Sequence, residues 1–221
     1  MVLKLAVLIS GTGTNLAAIQ QAIEAGSCDA RVELVVSDRT SALGLGFAAE
    51  HGLRTNVVGF RDYAQRSDWD RALTDAVAGS GAQLIVLAGF MRVVGPAFLE
   101  RFARRTINVH PALLPLFPGT HAPAEAIAAG VRISGCTVHL VDAGIDTGPI
   151  IAQAAVPVLP ADTPDLLHER IQHAEHKLLP KVIDAIARGQ IVLEPALSIA
   201  SADSAADSPM LLSPPLLDGA A

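Results

Sequence analysis

A regular alternation of apolar runs and amphipathic segments limits this chain to few folds. Runs rich in valine, isoleucine and leucine predict strands buried on both faces, and the segments between them space their apolar residues as a helix does. Repeated βαβ units of this kind predict an α/β fold with a three-layer, mostly parallel twisted sheet, helices on both faces and a Rossmann-like N-terminal half. The predicted strands are 4–10, 32–37, 55–58, 83–94, 106–109, 135–141 and 191–193, and the predicted helices follow the loop at 11–15 and cover 42–51, 67–78, 123–129 and 163–188, with another starting at 95.

The composition suits a single domain, predicted to cover residues 1–194. The 221 residues are 51% hydrophobic, which is enough for a sizeable core, yet no stretch approaches the roughly 18 unbroken apolar residues of a membrane span. A formal net charge of −6 argues against a general nucleic-acid surface. Cys28 and Cys136 lack the spacing of a disulfide framework or a zinc site. We therefore expect a cytoplasmic protein with small-molecule partners, no nucleic acid and no membrane.

The last part of the chain differs from the rest. Residues 195–221 are dominated by alanine, serine, aspartate, proline and leucine and contain no lysine or arginine. This composition predicts a low-complexity, flexible tail without a core of its own. Before the tail, Thr163 and Pro164 begin a long amphipathic helix that Pro180 is expected to kink.

The first predicted strand runs directly into the sequence GTGTN, residues 11–15. Gly11 and Gly13 let the backbone come close to a ligand, and Thr14 or Asn15 is predicted to cap the following helix. Free N–H groups at a helix start attract phosphate. The third glycine of the dinucleotide fingerprint is missing, so a purely structural turn stays an equal alternative.

Residues 106–122, TINVHPALLPLFPGTHA, concentrate reactive side chains between rigid prolines. Alternation along a strand places Asn108 and His110 on one side, and Pro111 ends the strand directly after the histidine. An amide and an imidazole at that point can both donate hydrogen bonds to a developing oxyanion, and the imidazole can also move a proton. The alternative interpretation is a turn asparagine and a buried core histidine.

Acyl transfer at these residues would also need an acid. Residues 141–153, VDAGIDTGPIIAQ, are predicted to form a glycine-interrupted loop between two strands, and Asp142 and Asp146 are their only acids. A carboxylate beside an imidazole orients the ring, favours its charged form and can order a water for proton removal. The residues alone leave open which of the two acids serves His110, and whether His139 is a site residue or merely buried.

The stretch 106–122 resembles the signature of the folate-dependent formyltransferases, Asn-x-His-Pro-x-Leu-Leu-Pro-x-Phe-x-Gly-x-His. The resemblance extends over most of residues 3–194 and implies that Asp146, which precedes Thr147-Gly148-Pro149, is the catalytic acid beside Asn108 and His110. Pro123 and Ala124 stand where relatives often carry polar residues, so His121 is interpreted as the end of the motif. The matching positions are Asn108, His110, Pro111, Leu113, Leu114, Pro115, Phe117, Gly119 and His121.

The resemblance also implies two binding regions. The ribonucleotide would contact Gly13, Thr14, Asn15 and Glu175, with Thr14 replacing the usual serine, although a helical glutamate is ordinarily a solvated charge. The folate would bind where parallel strands end. Ala143 replaces a frequent acid, and Arg66 alone would be interpreted as a surface arginine. The implied folate-binding residues are Arg66, Met91, Arg92, Val93, Val94, Asn108, Val141, Asp142, Ala143 and Gly144.

The implied activity is formyl transfer from 10-formyltetrahydrofolate to the amine of glycinamide ribonucleotide, without a metal, by a monomer or homodimer. Other members of the family, including a 10-formyltetrahydrofolate hydrolase, are the alternatives within the family. They normally carry an extra domain, whereas the motifs here begin near residue 5 and only a short tail follows. A non-catalytic nucleotide-binding module is the alternative from a different class, and it would leave Asn108, His110 and Asp146 unexplained.

Overall fold

The computed structural model describes residues 2–199, and the predicted tail, residues 195–221, lies outside them from residue 200 onward. The fold alternates strands and helices as predicted. The strands are β1 Leu3–Ile9, β2 Ala30–Ser37, β3 Thr55–Val57, β4 Leu84–Leu87, β5 Thr106–His110, β6 Ile133–Leu140, β7 Ile150–Pro157, β8 Ile191–Val192 and β9 Ser198–Ile199. The helices are α1 Thr14–Glu24, α2 Gly44–Glu50, α3 Arg66–Ala78, α4 Pro96–Arg101, α5 Ala122–Ala128 and α6 Pro164–Ala187, with a 3₁₀ turn at Phe60–Asp62.

A seven-stranded sheet in the order β3-β2-β1-β4-β5-β6-β7 forms the centre of the molecule. Strands β1 to β5 are parallel, whereas β6 runs antiparallel to β5 and β7 antiparallel to β6. The chain builds outward from β1 to β3 and then crosses to β4 on the other side. This reversal places a crevice at the carboxyl ends of β1 and β4, where open α/β sheets bind ligands.

The two faces of the sheet bury separate cores, which confirms the predicted three-layer architecture. On one face, Leu5, Val7 and Ile9 of β1 pack in a cluster with residues of α1 and α6. On the other face, Ala6 and Leu8 pack with the aromatic and aliphatic residues of α3 and α4, including Trp69, Leu73 and Phe98. Strand alternation alone decides which side chain joins which core.

Three local predictions were wrong. Strand β7 begins at Ile150, inside the predicted loop 141–153. Strand β8 does not extend the main sheet but pairs with β9, so regular structure continues past the predicted boundary at residue 194. Neither Thr14 nor Asn15 caps α1; Gly13 holds the cap position in a left-handed conformation with φ +77°, and no side chain bonds to the cap.

Helix α6 begins as predicted, because the Thr163 side chain accepts a hydrogen bond from the N–H of Leu166. The helix continues without interruption past Pro180 to Ala187. Within residues 2–199, no helix combines the length and the apolar character needed to span a membrane.

Candidate active site

A cavity of about 660 Å³ opens at the carboxyl ends of β4 and β5. The segment after β4, the end of β5, the loop between β6 and β7 and the first turns of α6 form its walls. Four histidines and three aspartates lie among mainly apolar neighbours. The principal lining residues are Met91, Arg92, Val93, Val94, Asn108, His110, Gly119, His121, His139, Val141, Asp142, Gly144, Ile145, Asp146, Asp165 and His168.

His110 ends β5 and is only 3% exposed. Its Nδ1 lies 3.3 Å from a carboxylate oxygen of Asp146, and its Nε2 lies 2.8 Å from the carbonyl oxygen of Phe117. Both neighbours are acceptors, so a ring that carries a proton on each nitrogen satisfies both contacts. The site therefore holds the imidazole in a fixed orientation, with an acceptor beside each ring nitrogen.

Asp146 lies in the loop between β6 and β7 in a left-handed backbone conformation, φ +56°. Its Oδ2 accepts a 2.8 Å hydrogen bond from the N–H of Gly119. Burial acts to raise the pKa of this carboxyl group, but the His139 ring 3.6 Å from Oδ1, the Gly119 N–H and the charges of His110 and His139 outweigh it. The net pKa of Asp146 is lowered. The carboxylate is therefore ionised at neutral pH and faces two imidazoles.

Asn108 connects this acid to the second imidazole. Its side-chain nitrogen lies 3.1 Å from Nε2 of His139 and 3.5 Å from Oδ1 of Asp146. His139 is buried, and its Nδ1 donates to the carbonyl oxygen of Leu140 at 2.8 Å. Asn108, His110, His139 and Asp146 thus form one continuous cluster. The sequence left open whether His139 is a site residue or merely buried. The antiparallel register of β5 and β6 places it opposite Asn108, so it is buried and also part of this cluster.

A buried hydroxyl fixes the loop that follows His110. Oγ1 of Thr137 donates to the carbonyl oxygen of Ala112 at 2.7 Å and accepts from the N–H of Leu114 at 3.0 Å. The side-chain amide of Gln153 donates to the Leu114 carbonyl oxygen at 2.9 Å and to Thr137 at 3.0 Å. This loop carries the Phe117 carbonyl and the Gly119 N–H, so Thr137 and Gln153 determine where His110 and Asp146 find their partners. Sequence reasoning missed both residues.

Another part of the cavity wall is apolar and accessible. Met91, Val93 and Ile145 are 64%, 48% and 59% exposed, an arrangement typical of a surface that covers an apolar ligand. Val94, which was also predicted to bind folate, is buried at the back of this wall.

The remaining predicted folate-binding residues have different positions. Arg92 lines the cavity, whereas exposed Arg66 supports the cavity wall from outside, donating to the carbonyl oxygen of Val93 at 2.8 Å. Val141, Asp142 and Gly144 line the cavity, and Ala143 is exposed without lining it. His121, interpreted from the sequence only as the end of the motif, is another lining residue.

The predicted ribonucleotide residues form a separate group. Asn15 donates from Nδ2 to Oε2 of Glu175 at 2.9 Å, and both residues are buried. Burial raises the pKa of Glu175, and the hydrogen bond from Asn15 offsets only part of that effect. A Cβ on Gly13 would lie 2.6 Å from Cα of Gly44, so the loop packs tightly against α2. The interpretation of Glu175 as a solvated charge is wrong, because α6 turns this residue into the protein.

Glu175 shares helix α6 with the cavity. His168 lines the cavity, and Glu175 follows seven residues later, two turns further along the same helix face. The oxygen Oδ1 of Asn15 has no hydrogen-bond partner among the described residues although it is buried. A buried acceptor of this kind is usually satisfied by an ordered water or by a ligand group.

The described residues show no group of three or more histidine, cysteine, aspartate or glutamate side chains arranged to hold a metal ion. Both cysteines are free and buried, and burial is the main cause that raises the pKa of Cys28 to about 11 and that of Cys136 to about 12. Neither thiol is poised as a nucleophile.

Comparison with known proteins agrees with this geometry. Residues 3–183 match the formyl transferase family model. The phosphoribosylglycinamide formyltransferase of Mycobacterium tuberculosis H37Rv is 50% identical over 184 residues, which cover 83% of this chain and 85% of that protein. The trifunctional purine biosynthetic protein adenosine-3 of Drosophila melanogaster is 44% identical over 88% of this chain, which spans only 15% of that longer relative. A glycinamide ribonucleotide transformylase 1 from Symbiobacterium toebii superimposes with a TM-score of 0.86 at 43% identity, over 90% of this chain and 94% of that one.

Proposed function

The chain belongs to the formyl transferase family, and from this premise we propose that it transfers the formyl group of 10-formyltetrahydrofolate to the amine of glycinamide ribonucleotide. The products are N-formylglycinamide ribonucleotide and tetrahydrofolate. The observation that carries the proposal is the cluster of buried His110 with the partly buried Asn108 and Asp146 in a cavity with one apolar wall. A binding module has no need of an ionised carboxylate and an oriented imidazole in the same cavity.

In the proposed mechanism, the neutral amine of the ribonucleotide attacks the formyl carbon. Negative charge develops on the formyl oxygen, and the Asn108 amide and the protonated His110 ring donate hydrogen bonds to it. Nε2 of His110 contacts the Phe117 carbonyl at 2.8 Å, so we assign the Nδ1–H, 3.3 Å from Asp146, as the donor that the oxyanion shares with this carboxylate. Asp146 keeps the imidazole charged throughout the addition step.

The proton balance assigns a second task to Asp146. The attacking amine becomes cationic and must lose a proton, which passes through a water held by the Asp146 carboxylate. When the intermediate collapses, the bond between the formyl carbon and the folate nitrogen breaks, and that nitrogen takes up a proton. One proton leaves and one arrives, so the enzyme returns to its starting protonation state.

The two substrates would approach from opposite sides of this cluster. Met91 to Val94 and the loop from Val141 to Gly144 would hold the folate ring system, with Arg66 and Arg92 near its anionic end. The N–H groups of Gly13, Thr14 and Asn15 would hold the phosphate of the ribonucleotide. Glu175 and the unpaired Oδ1 of Asn15 would bind the amine-bearing end, because both are acceptors buried near that loop.

One assay separates the proposed reaction from its alternatives. The protein is incubated with 10-formyltetrahydrofolate, with and without glycinamide ribonucleotide, and tetrahydrofolate and formylated ribonucleotide are both quantified. A transferase releases tetrahydrofolate only when the amine is present and in equal amount with the formylated product. Release without the amine would identify a hydrolase, and binding of the ribonucleotide without any turnover would identify a binding module. When the same assay is applied to Asp146→Asn, the matched control is Asp75→Asn, which removes an exposed carboxylate charge on α3.

A further inference from the structure

The part of the cavity wall that carries Met91 and Val93 has no regular structure of its own. Both residues lie in the segment 88–95 between β4 and α4, and none of the residues of that segment belongs to a helix or a strand. The side chains of Met91 and Val93 are exposed and apolar. Because helix and sheet hydrogen bonds are missing there, the bonds that other elements make to the backbone decide where this part of the wall stands.

Two elements make those bonds. At the beginning of the segment, the N–H of Met91 donates to Oγ of Ser10, after β1, at 2.8 Å. In its middle, Arg66 of α3 donates to the carbonyl oxygen of Val93 at 2.8 Å. Asp70 follows Arg66 by one turn on the same face of α3 and is only 3% exposed. The end of the segment depends on this acid.

Asp70 supplies the cap that α4 lacks. The N-cap residue Gly95 has no side chain, and Pro96 at the first helical position has no N–H. Oδ1 of Asp70 accepts a hydrogen bond from the N–H of Gly95 at 2.6 Å. Its Oδ2 accepts from the N–H groups of Ala97 at 2.9 Å and Phe98 at 3.4 Å. One buried carboxylate thus satisfies the three free N–H groups at the start of α4 and fixes the residue where the segment ends.

The fit between Asp70 and Gly95 leaves no space for a side chain at position 95. A Cβ there would lie 2.5 Å from Cγ and 2.5 Å from Oδ2 of Asp70, which is far inside ordinary van der Waals contact. The two residues therefore act as one unit that holds the backbone at a fixed distance from α3.

We propose that Asp70 is a positioning residue for folate binding, which holds the backbone of Gly95 and thereby places Met91 and Val93 against the folate ring system. The inference rests on the proposed function. The catalytic cluster is bonded to the 112–119 loop and to β6 rather than to α3. Loss of the Asp70 carboxylate should therefore weaken folate binding and leave the chemical step and the ribonucleotide site largely intact.

The expected effect of Asp70→Ala is a rise of about tenfold in the KM for 10-formyltetrahydrofolate and in the Kd for tetrahydrofolate, because three N–H groups lose a charged acceptor and the segment shifts. The turnover number at saturating folate and the KM for glycinamide ribonucleotide should change by less than about threefold. Asp70→Asn should raise the folate constants by about threefold, since an amide keeps one acceptor oxygen but turns a donor toward the other N–H groups.

Steady-state kinetics and anaerobic calorimetry on the full chain measure these constants, and two variants of α3 serve as controls. Val77→Ala truncates a buried core residue of the same helix, seven residues and roughly 10 Å further along its axis. Asp75→Asn removes an exposed carboxylate of that helix. Both should leave the two folate constants unchanged, even where Val77→Ala lowers the urea midpoint as much as Asp70→Ala does.

Gly95→Ala approaches the same contact from the other side and keeps the inference testable if Asp70→Ala does not fold. Its added Cβ displaces the carboxylate, so the Kd for tetrahydrofolate should rise about as much as in Asp70→Ala. In the Asp70→Ala background, where the carboxylate is gone, Gly95→Ala should add little further loss.

Three results would overturn the inference. The first is an unchanged Kd for tetrahydrofolate in folded Asp70→Ala or in folded Gly95→Ala. The second is an equal rise in Val77→Ala, and the third is an equal weakening of folate and ribonucleotide in Asp70→Ala; either would reduce Asp70 to a residue that only stabilises the fold. The proposed function fails separately, if the unmodified protein binds tetrahydrofolate but transfers no formyl group, and the Kd comparison then still tests Asp70.

Discussion

The molecule contains two pairs of an asparagine and an acid, one partly buried and one buried, and the pKa values of the two acids are shifted in opposite directions. At the end of β5, Asn108 lies 3.5 Å from Asp146, whose pKa is lowered. At the glycine loop, Asn15 lies 2.9 Å from Glu175, whose pKa is raised. Burial acts to raise the pKa of both acids, so burial does not distinguish them.

The number and charge of the donors around each acid account for the difference. Asp146 faces two imidazoles and the N–H of Gly119, which together outweigh desolvation. Glu175 receives only the neutral amide of Asn15. The surroundings of a carboxylate therefore decide whether its pKa falls or rises, even where the neighbouring residue is an asparagine in both places.

The largest expected effect comes from neutralising Asp146. Asp146→Asn preserves the shape of the side chain but removes the charge that pairs with His110 and orders the water. We expect the turnover number for formyl transfer to fall by about 10²–10⁴, the range of a general acid–base group. Steady-state kinetics with saturating substrates measures it. A variant that is folded by circular dichroism and retains more than a tenth of normal turnover would contradict the assigned role of Asp146.

Replacing the asparagine of the same pair should have the next largest effect. Asn108→Ala removes one proposed oxyanion donor, and the turnover number should fall by about 10²–10³ with little change in the KM values. Asn15→Ala is the corresponding change in the other pair. Because Asn15 lies at the proposed phosphate loop, its loss should act mainly through the KM of the ribonucleotide. If both variants lost turnover by the same factor, the assignment of Asn108 to the reaction step and of Asn15 to ribonucleotide binding would be wrong.

The hydrogen bond from Gly119 to Asp146 comes from the 112–119 loop, which makes no contact of this kind with Glu175. Thr137→Val keeps the volume of a fully buried side chain but removes the hydroxyl that bonds Ala112 and Leu114. We expect a loss of about 1–3 kcal/mol in the free energy of unfolding, because buried polar groups lose their partner, and a smaller turnover number as the 112–119 loop loosens. Urea unfolding and kinetics of the same preparation measure the two effects. Thr137→Ser should restore most of both, and a stable Thr137→Val enzyme with normal turnover would show that the hydroxyl does not position the loop.

Much of the fold was predictable because local pattern and final structure agree. Strand β5 and its two site residues follow from β-branched residues and a terminating proline, and β1 follows from an unbroken apolar run. The start of strand β7 was not predicted, because Ile150 directly follows a glycine and a proline. In addition, β7 is an edge strand, and only part of its side chains are buried. Strand β8 was assigned to the wrong sheet because its partner, β9, lies in a segment of low-complexity composition.

The site was predictable where a motif is continuous in sequence and unpredictable where distant residues meet. Asn15 was expected to cap its own helix, as its side chain favours, but the bond to Glu175, 160 residues away, replaces that local role. His139 could not be assigned until the β5–β6 register placed it opposite Asn108. The roles of the site residues stay predictions that kinetics must test.

The smallest expected effect concerns Glu175 and appears in stability. Glu175→Gln removes a buried group that ionises against desolvation, keeps an acceptor for the Asn15 amide and adds a donor for the unpaired Oδ1 of Asn15. The folded-state pKa of Glu175 is raised, so the unfolded chain releases its proton first as pH rises. Below the unfolded-state pKa, about 4.3 for glutamate, ionisation contributes nothing to the stability difference between wild type and variant.

Above that pH the wild type loses stability relative to the variant, and the loss is complete once pH exceeds the folded-state pKa. Urea unfolding of both proteins between pH 4 and pH 8 should therefore show the stability of Glu175→Gln rising relative to wild type as pH rises. For Asp146 the change of stability with pH has the opposite sign. Because its pKa is lowered in the folded state, its ionisation stabilises the fold above the unfolded-state pKa. That stabilisation is lost as pH falls through the folded-state pKa. Asp146→Asn should accordingly lose stability relative to wild type at neutral pH, and two difference curves of the same sign would show that the two acids are not poised in opposite directions.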